Sequence, residues 1–243
     1  MRRLFIEGEL TKHIVIKGKD ALHLLYAMRA KPGQTVVVAD KNGKTAKTQI
    51  ESCEPQQVVL SLIELIEDIQ ESPINLILLQ CLPKADKMDY IVQKAVEIGV
   101  NKIIPVESHN CVVKYDEGKK EKKRNKWQKI ADEAAKQCAR GIRPEICPVV
   151  DFAAAIAIAM QNEACICYEN EDTLPFKQYL QALNCASYAI MIGPEGGFTE
   201  AEVEKCRLAG IKSISLGKRI LRTETAAIAA LAIMQYEKGD LGT

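Results

Sequence analysis

No apolar run in these 243 residues reaches the roughly 20 that a helix needs to cross a bilayer; the longest, Phe152 to Met160 and Ala226 to Met234, fall far short. At the amino end, MRRLFIEGEL puts only three apolar residues between its two arginines and Glu7, so the apolar centre of a secretory signal is missing and a cytoplasmic location is expected. Cysteine pairing is also lacking. The count of nine is odd and the closest spacing is Cys165-x-Cys167, which supports neither a disulfide framework nor a CxxC zinc site, so no metal is expected. The thiols read as reduced, small buried hydrophobes. Neither GxxxxGK[ST] nor GxGxxG occurs, which excludes the P-loop and the dinucleotide fingerprint.

Composition is otherwise ordinary for a globular protein, with 47% hydrophobic and 27% charged residues, and the length suits two domains or one large one. The net charge of +1 conceals an uneven distribution: Lys114 to Lys129 holds eight Lys or Arg against three acids. A positive field this concentrated attracts polyphosphate. The alternative is a solvated charged helix face.

From Ile14 to about Ile69 the pattern is short and strand-like, in HIVIK, TVVVAD, TAKTQIES and QVVLSLIELIED. Asn42-Gly43 between two of these runs predicts a hairpin with a tight primed turn. One helix interrupts the strands, Asp20 to Arg29, with Leu22, Leu25 and Tyr26 expected on its packed face. Residues 1–72 therefore read as a small, mainly β, barrel-like domain. After Glu71-Ser72-Pro73 the pattern changes, and residues 73–243 read as strands alternating with helices. Near-continuous apolar strands such as INLILLQCL and SYAIMI indicate a parallel sheet covered on both faces. Helices are expected at about Asp86–Ile98, Lys119–Ala139 and Glu224–Glu237. The last, AAIAALAIM, is apolar almost all round and must be covered on every side, by the sheet and by some further surface, for which a second subunit is one candidate.

Two motifs carry chemistry. Ile192-Gly193-Pro194-Glu195-Gly196-Gly197-Phe198-Thr199-Glu200-Ala201-Glu202 is a strand, a glycine-rich loop and a helix start, with Thr199 and Glu202 at capping-box spacing and Gly210 placed to end the helix. Such a junction leaves backbone N–H groups free and lets a ligand approach closely; the alternative is a turn needed only for packing. Ser215-Leu216-Gly217-Lys218-Arg219-Ile220-Leu221-Arg222-Thr223-Glu224-Thr225 also leads from strand to loop to helix. Capping needs one polar residue, whereas this loop ends on four in a row, which suggests a site. An Arg222–Glu224 ion pair is the structural alternative.

IGPEGGFT followed by LGKRILRTETA resembles the signature of the RsmE family, the small-subunit ribosomal RNA uridine N3-methyltransferases of the knotted SPOUT superfamily. ALHLLYAMRAKPGQ, KADKMDYIVQKAVEIGV and KQCARGIRPE extend the resemblance along nearly the whole chain. It implies an α/β fold made of an N-terminal PUA-like RNA-binding barrel and a C-terminal SPOUT methyltransferase domain with a trefoil knot, assembled as a homodimer. It also implies S-adenosyl-L-methionine as cofactor and 16S rRNA, or the small ribosomal subunit, as partner. By the same carry-over the cofactor pocket is built from Tyr168 and Glu169, from Gly193, Pro194, Glu195 and Gly196, and from Leu216, Gly217, Ile220, Leu221 and Thr225. Arg222 and Glu224 are the catalytic candidates. RNA contact is expected at Arg2, Arg3 and Arg29, and at Lys119, Lys120, Lys122, Lys123 and Arg124. The sequence departs from the family at His109-Asn110-Cys111, where an Arg followed by Ser is common, and at Cys138, which replaces a Ser. A non-catalytic ribosome-assembly factor, or a SPOUT enzyme acting on another base or on ribose 2′-OH, are the competing readings.

Overall fold

The structure, a computed structural model, describes residues 3–66, 71–171 and 173–242. It divides into two compact units, Met1–Glu71 with Ala135–Arg143, and Ser72–Ala134 with Pro144–Thr243. The insertion of 135–143 into the first unit is not foreshadowed in the sequence, which reads as one boundary near Ser72.

In the first unit, β1 (Arg3–Phe5), β2 (His13–Lys17), β3 (Thr35–Ala39), β4 (Thr45–Glu54) and β5 (Gln57–Ile66) form one sheet in the order β1-β3-β4-β5-β2. Only β1 and β3 pair in parallel. Period-two burial is clear in β2, where Ile14 and Ile16 face the core and His13, Val15 and Lys17 face out. The hairpin between β3 and β4 exists, but its loop has three residues. Asp40 N–H donates to Lys44 O (2.9 Å), and Gly43, the loop's only positive-φ residue at +80°, donates to Asp40 O. The Asp40 carboxylate accepts from the Asn42 and Lys44 amides at 2.8 and 2.9 Å, which favours this wider loop over a primed two-residue turn.

The helix near residue 20 is α1 (Gly18–Leu22) continued by a π-helical turn over His23–Ala27. Its buried side carries Ala21 and Leu24, while Leu22 and Tyr26 are exposed. Two stripes at helical spacing share Leu25; the structure uses the one through Ala21, Leu24 and Met28, because the sheet accepts the smaller Ala21 at closest approach. The 135–143 segment is anchored by Arg140, whose guanidinium donates to both Glu71 carboxylate oxygens, with Ile142 N–H adding a bond at 3.0 Å.

In the second unit, β6 (Asn75–Cys81), β7 (Lys102–Glu107), β8 (Glu145–Ile146), β9 (Val150–Asp151), β10 (Glu163–Cys167), β11 (Ser187–Ile192) and β12 (Lys212–Ile214) make one sheet. Its order is β12-β10-β11-β6-β7-β8, with β9 on β7, and every pairing is parallel. Parallel strands need helical returns over both faces, which is why β6 and β11 are almost wholly buried and apolar. The register aligns their carboxyl ends: Cys167 lies opposite both Ile192 and Ile214, and Ile192 opposite Gln80.

The helices are α2 (Lys87–Glu97), α3 (Glu117–Gln137), α4 (Phe152–Ala159), α5 (Phe176–Gln181), α6 (Glu200–Leu208) and α7 (Thr223–Lys238). The capping box on α6 is present as expected, and Gly210 follows its end at φ +83°. Helix α7 packs on α2 and β11 through Ala227, Ala230, Leu231 and Met234, each such aliphatic burial contributing roughly 1.5–3 kcal/mol for the larger side chains. Its other face is uncovered in the single chain, with Ile233 at the edge of exposure and Tyr236 at 70%. None of the nine cysteines is in a disulfide; Cys81, Cys111, Cys165 and Cys206 are buried as expected, whereas Cys185 is exposed. No helix among the described residues is long and apolar enough to cross a membrane, and no His, Cys, Asp or Glu group among them could hold a metal.

The Arg140–Glu71 pair is nearly dry, at 5% and 10% side-chain exposure. Glu71→Ala removes the bonds between this carboxylate and the buried Arg140 guanidinium and Ile142 amide, so it is expected to lower stability by more than about 1 kcal/mol in urea unfolding, the upper end for an exposed pair such as Arg207–Glu204.

Candidate active site

Because the four parallel strands end in register, the turns that follow β10, β11 and β12 emerge on one edge of the sheet. They enclose a cavity of about 350 Å³, lined by Cys167, Tyr168 and Glu169, by Ile192 to Glu195 and Gly197, by Ser215 to Arg222, and by Lys87, Thr223 and Ala226. The two sequence motifs thus meet in one place, together with the Tyr168–Glu169 turn. Of the expected cofactor residues, Tyr168, Glu169, Gly193, Pro194, Glu195, Leu216, Gly217, Ile220 and Leu221 line the cavity. Gly196 and Thr225 do not. A Cβ at Gly196 would come within 3.0 Å of Asn110 Cβ, so this glycine is needed for close packing behind the loop. Thr225 is exposed one helical step away from the wall that Thr223 and Ala226 form.

Thr223 holds the two motifs together. Its hydroxyl donates to Gly193 O (2.6 Å) and accepts from Gln80 Nε2 (3.0 Å), itself fully buried at the end of β6. From the other side Asn110 Nδ2 donates to Gly196 O and Gly197 O at 3.0 and 3.2 Å. The departure at His109-Asn110-Cys111 therefore supplies an amide buttress under the glycine loop. At the N-terminus of α6 the Thr199 side chain accepts from Glu202 N–H while the Glu202 carboxylate accepts from Thr199 N–H (2.9 Å) and His109 N–H (2.8 Å), so these amides are already engaged. The rest of the wall is formed by the start of α7 and by the 215–222 loop, whose N–H groups from Lys218 to Arg222 have no partner within the described residues.

Charge at the wall is arranged around Lys87, which the sequence does not single out. Its ammonium lies 2.7 Å from Glu195 Oε1 and 3.4 Å from Glu224 Oε2. The Glu195 hydrogen bond holds this ammonium above its ordinary pKa, and Glu224 adds to the effect. Burial pushes Glu195 up, but bonds from Lys87 and from backbone amides outweigh it and hold its carboxyl below the usual range. Glu224 thus pairs with Lys87 and not with Arg222, which is exposed at the cavity mouth. Glu224 does not line the cavity; it lies one ion pair behind it, with Oε2 fully buried and lacking a well-aligned donor.

The expected RNA contacts differ in how free they are. In α3, Lys120 pairs with Glu107 and Glu117 (3.1 and 3.0 Å) and Arg124 with Glu121 (2.8 Å). Lys119 and Lys123 have no ion pair among the described residues and lie 5.0 and 5.9 Å from the Tyr115 ring; Lys122 is exposed. In the first unit Arg29 is exposed, whereas Arg3 is half-buried against the Ala139 carbonyl, its pKa lowered by burial. Arg2 lies outside the described residues.

A cavity outside the carboxyl ends of parallel strands, walled by glycine-bearing turns, is the ligand-site position of an α/β enzyme. A family model described as RNA methyltransferase domain matches residues 70–235. Ribosomal RNA small subunit methyltransferase E of Bacillus subtilis is 35% identical over 98% of this chain and 97% of its own. The protein of that name from Buchnera aphidicola of Schizaphis graminum is 37% identical over 70% of this chain and 69% of its own. The crystal structure of the Neisseria gonorrhoeae enzyme of the same name, bound to S-adenosyl methionine, superposes with a TM-score of 0.88 at 30% identity, covering 99% of each chain. The chain belongs to the ribosomal RNA small subunit methyltransferase E family.

Thr223→Val keeps the shape but removes the bridge between Gln80 and Gly193. Stability should fall by about 1–2 kcal/mol, the usual loss when a buried donor is stranded; a chemical denaturation midpoint equal to the native one would show that the bridge does not hold the loop.

Proposed function

We propose that this protein transfers a methyl group from S-adenosylmethionine to N3 of a uridine in 16S ribosomal RNA of the small subunit. The observation that carries the reading is the convergence of three turns, after β10, β11 and β12, on one cavity beside an Arg and a Lys–carboxylate cluster. Its volume lies in the range of small-molecule sites, roughly 300–1,000 Å³. Its walls suit the cofactor: the Tyr168 ring, Leu216, Ile220 and Leu221 offer apolar surface, Gly217 leaves open space where a side chain would stand, and the unpartnered N–H groups of the 218–222 loop offer donors. Bound there, S-adenosylmethionine supplies a methyl group on a positively charged sulfur and leaves as a neutral thioether.

The chain's own residues then have two tasks. N3 lies on the Watson–Crick edge, so the uridine must be unpaired and held within reach of the cavity. As N3 takes the methyl group its proton must leave, and Glu224 receives it, while Arg222 stabilises negative charge on a uracil carbonyl oxygen. Glu224 sits one ion pair behind the wall in the free protein, and catalytic hydrogen bonds often tighten only when substrate is bound. Lys119, Lys122 and Lys123, which have no carboxylate partner among the described residues, capture RNA together with Arg29. The five-stranded first unit is read as a PUA-like RNA-binding barrel. The second unit is read as the SPOUT domain with its trefoil knot, and the uncovered face of α7 at Ile233 and Tyr236 supports a homodimer. A cytoplasmic location follows from the substrate.

Nucleoside mass spectrometry of 16S rRNA from cells with and without the protein should show one 3-methyluridine lost; an unchanged profile would refute the assignment. Arg222→Ala and Glu224→Gln should each slow single-turnover transfer by about 10²-fold with cofactor saturating. Replacing Lys119, Lys122 and Lys123 by Gln should flatten the salt dependence of RNA binding by about 0.7 in log–log slope per lost phosphate contact, whereas replacing the paired Lys120 should change it less.

A further inference from the structure

The loop that precedes α7 projects side chains that the transfer leaves without a task. Lys218, Arg219 and Ile220 all line the cavity, and all three are exposed, with Ile220 at 86%. A lone apolar side chain in solvent is common on protein surfaces and by itself carries nothing. This one stands at the mouth of the cavity next to two cations, on a loop whose N–H groups from 218 to 222 have no partner among the described residues. The acids of the cavity are engaged elsewhere: the Glu195 carboxylate is taken by Lys87 and by the Lys84 amide, and that of Glu169 lies against Gly197. No ion pair joins Lys218, Arg219 or Arg222 to a carboxylate among the described residues. Nor does the cofactor need all three. S-adenosylmethionine offers one carboxylate, against an ammonium and a sulfonium, so three cations at the mouth exceed what it can neutralise, and a polyanion is the complementary cover.

We propose that residues 218–220 form the substrate lip of the site: Lys218 and Arg219 hold phosphates that flank the target uridine, and Ile220 packs against the neighbouring base in the place that the uridine vacates. This rests on the RNA-methylation reading above and adds which residues present the nucleotide. A base that leaves its stack costs its neighbour a contact, and an apolar side chain inserted at that step replaces part of it. Ile220 has little protein contact to give up, whereas Leu216 and Leu221 of the same loop are half-buried in the cavity lining. The two cations are likewise ready. Lys120 and Arg124 of α3 must first release Glu107, Glu117 and Glu121, but Lys218 and Arg219 have no such carboxylate to displace. Phosphate contacts carry no sequence information; they fix the register in which the uridine meets the cavity.

The experiment measures single-turnover methylation of unmethylated small ribosomal subunits, with cofactor raised from limiting to saturating, beside the salt dependence of subunit binding. Ile220→Ala should slow transfer about tenfold at saturating subunit and saturating cofactor. Ile220→Leu, which keeps the apolar bulk, should restore the native rate. Lys218→Gln combined with Arg219→Gln should weaken subunit binding and flatten its log–log salt slope by about 1.4, for two contacts to single-stranded phosphates, an effect that Ile220→Ala does not share. If the Ile220→Ala loss disappears as cofactor saturates, the side chain serves the cofactor and the proposal fails. It fails equally if Ile220→Ala transfers at the native rate, if Ile220→Leu does not rescue, or if the double variant keeps the native slope. A changed sedimenting mass for Ile220→Ala would place the side chain in a contact between copies and would also overturn it. The two levels stay distinguishable: native enzyme that leaves unmethylated subunits unmodified defeats the RNA-methylation reading, whereas active native enzyme with unaffected lip variants defeats only the lip.

Discussion

A single hydroxyl proton has only one direction to go at Thr223, and the site depends on where it goes. Oγ1 gives its proton to Gly193 O and receives one from Gln80 Nε2, so the end of β6, the loop after β11 and the start of α7 are held to one another by one side chain. Without that link the glycine loop would still be near α7, because the parallel register places it there, but its carbonyl would be free to turn. Catalysis by placement tolerates little of that freedom, since displacement of about 1 Å can cost two orders of magnitude. The register brings the parts together, and the hydroxyl sets their orientation.

That division explains why the molecule separates rigid backbone from adjustable charge. The glycine loop is braced on one side by Thr223 and on the other by Asn110, whose amide reaches two successive carbonyls. The 215–222 loop, in contrast, has exposed N–H groups with no internal partner, which water satisfies until something else does. One wall is thus preformed and the other is left with unused donors, an arrangement suited to a ligand gripped mainly through backbone.

The parts legible in the sequence were those with a local signature. Alternation in HIVIK, the apolar run of β6 and the spacing of Thr199 and Glu202 each follow from interactions within a few residues, and each appears where the pattern puts it. The two motifs were recognisable as site material for the same reason. What was not legible is non-local. Nothing in the sequence distinguishes Lys87 from other lysines in a charged segment; only the pairing of β6 with β11 brings the helix that follows β6 up against Glu195 and Glu224. The choice between two apolar stripes around Leu25 and the allegiance of 135–143 to the first unit were likewise decided by partners distant in sequence.

The glycines of one motif stand in different surroundings, and Gly196 packs on Asn110 and does not line the cavity. GPEGG reads as a ligand cradle, and the glycines do occupy the cradle, yet they act differently. Gly193 presents its carbonyl to Thr223 and makes room for the Phe198 ring, which a Cβ would meet at 3.2 Å, Gly196 makes room for Asn110, and Gly197 adopts φ +66° where a side chain would be strained and would meet the Glu169 carboxylate. Two packing contacts, against Phe198 and Asn110, and one backbone bend each exclude a Cβ. Sequence reports only the exclusion. The role of each glycine follows from what lies where its side chain would have been, and at Gly196 that is the amide which replaces an expected arginine and braces the loop from behind.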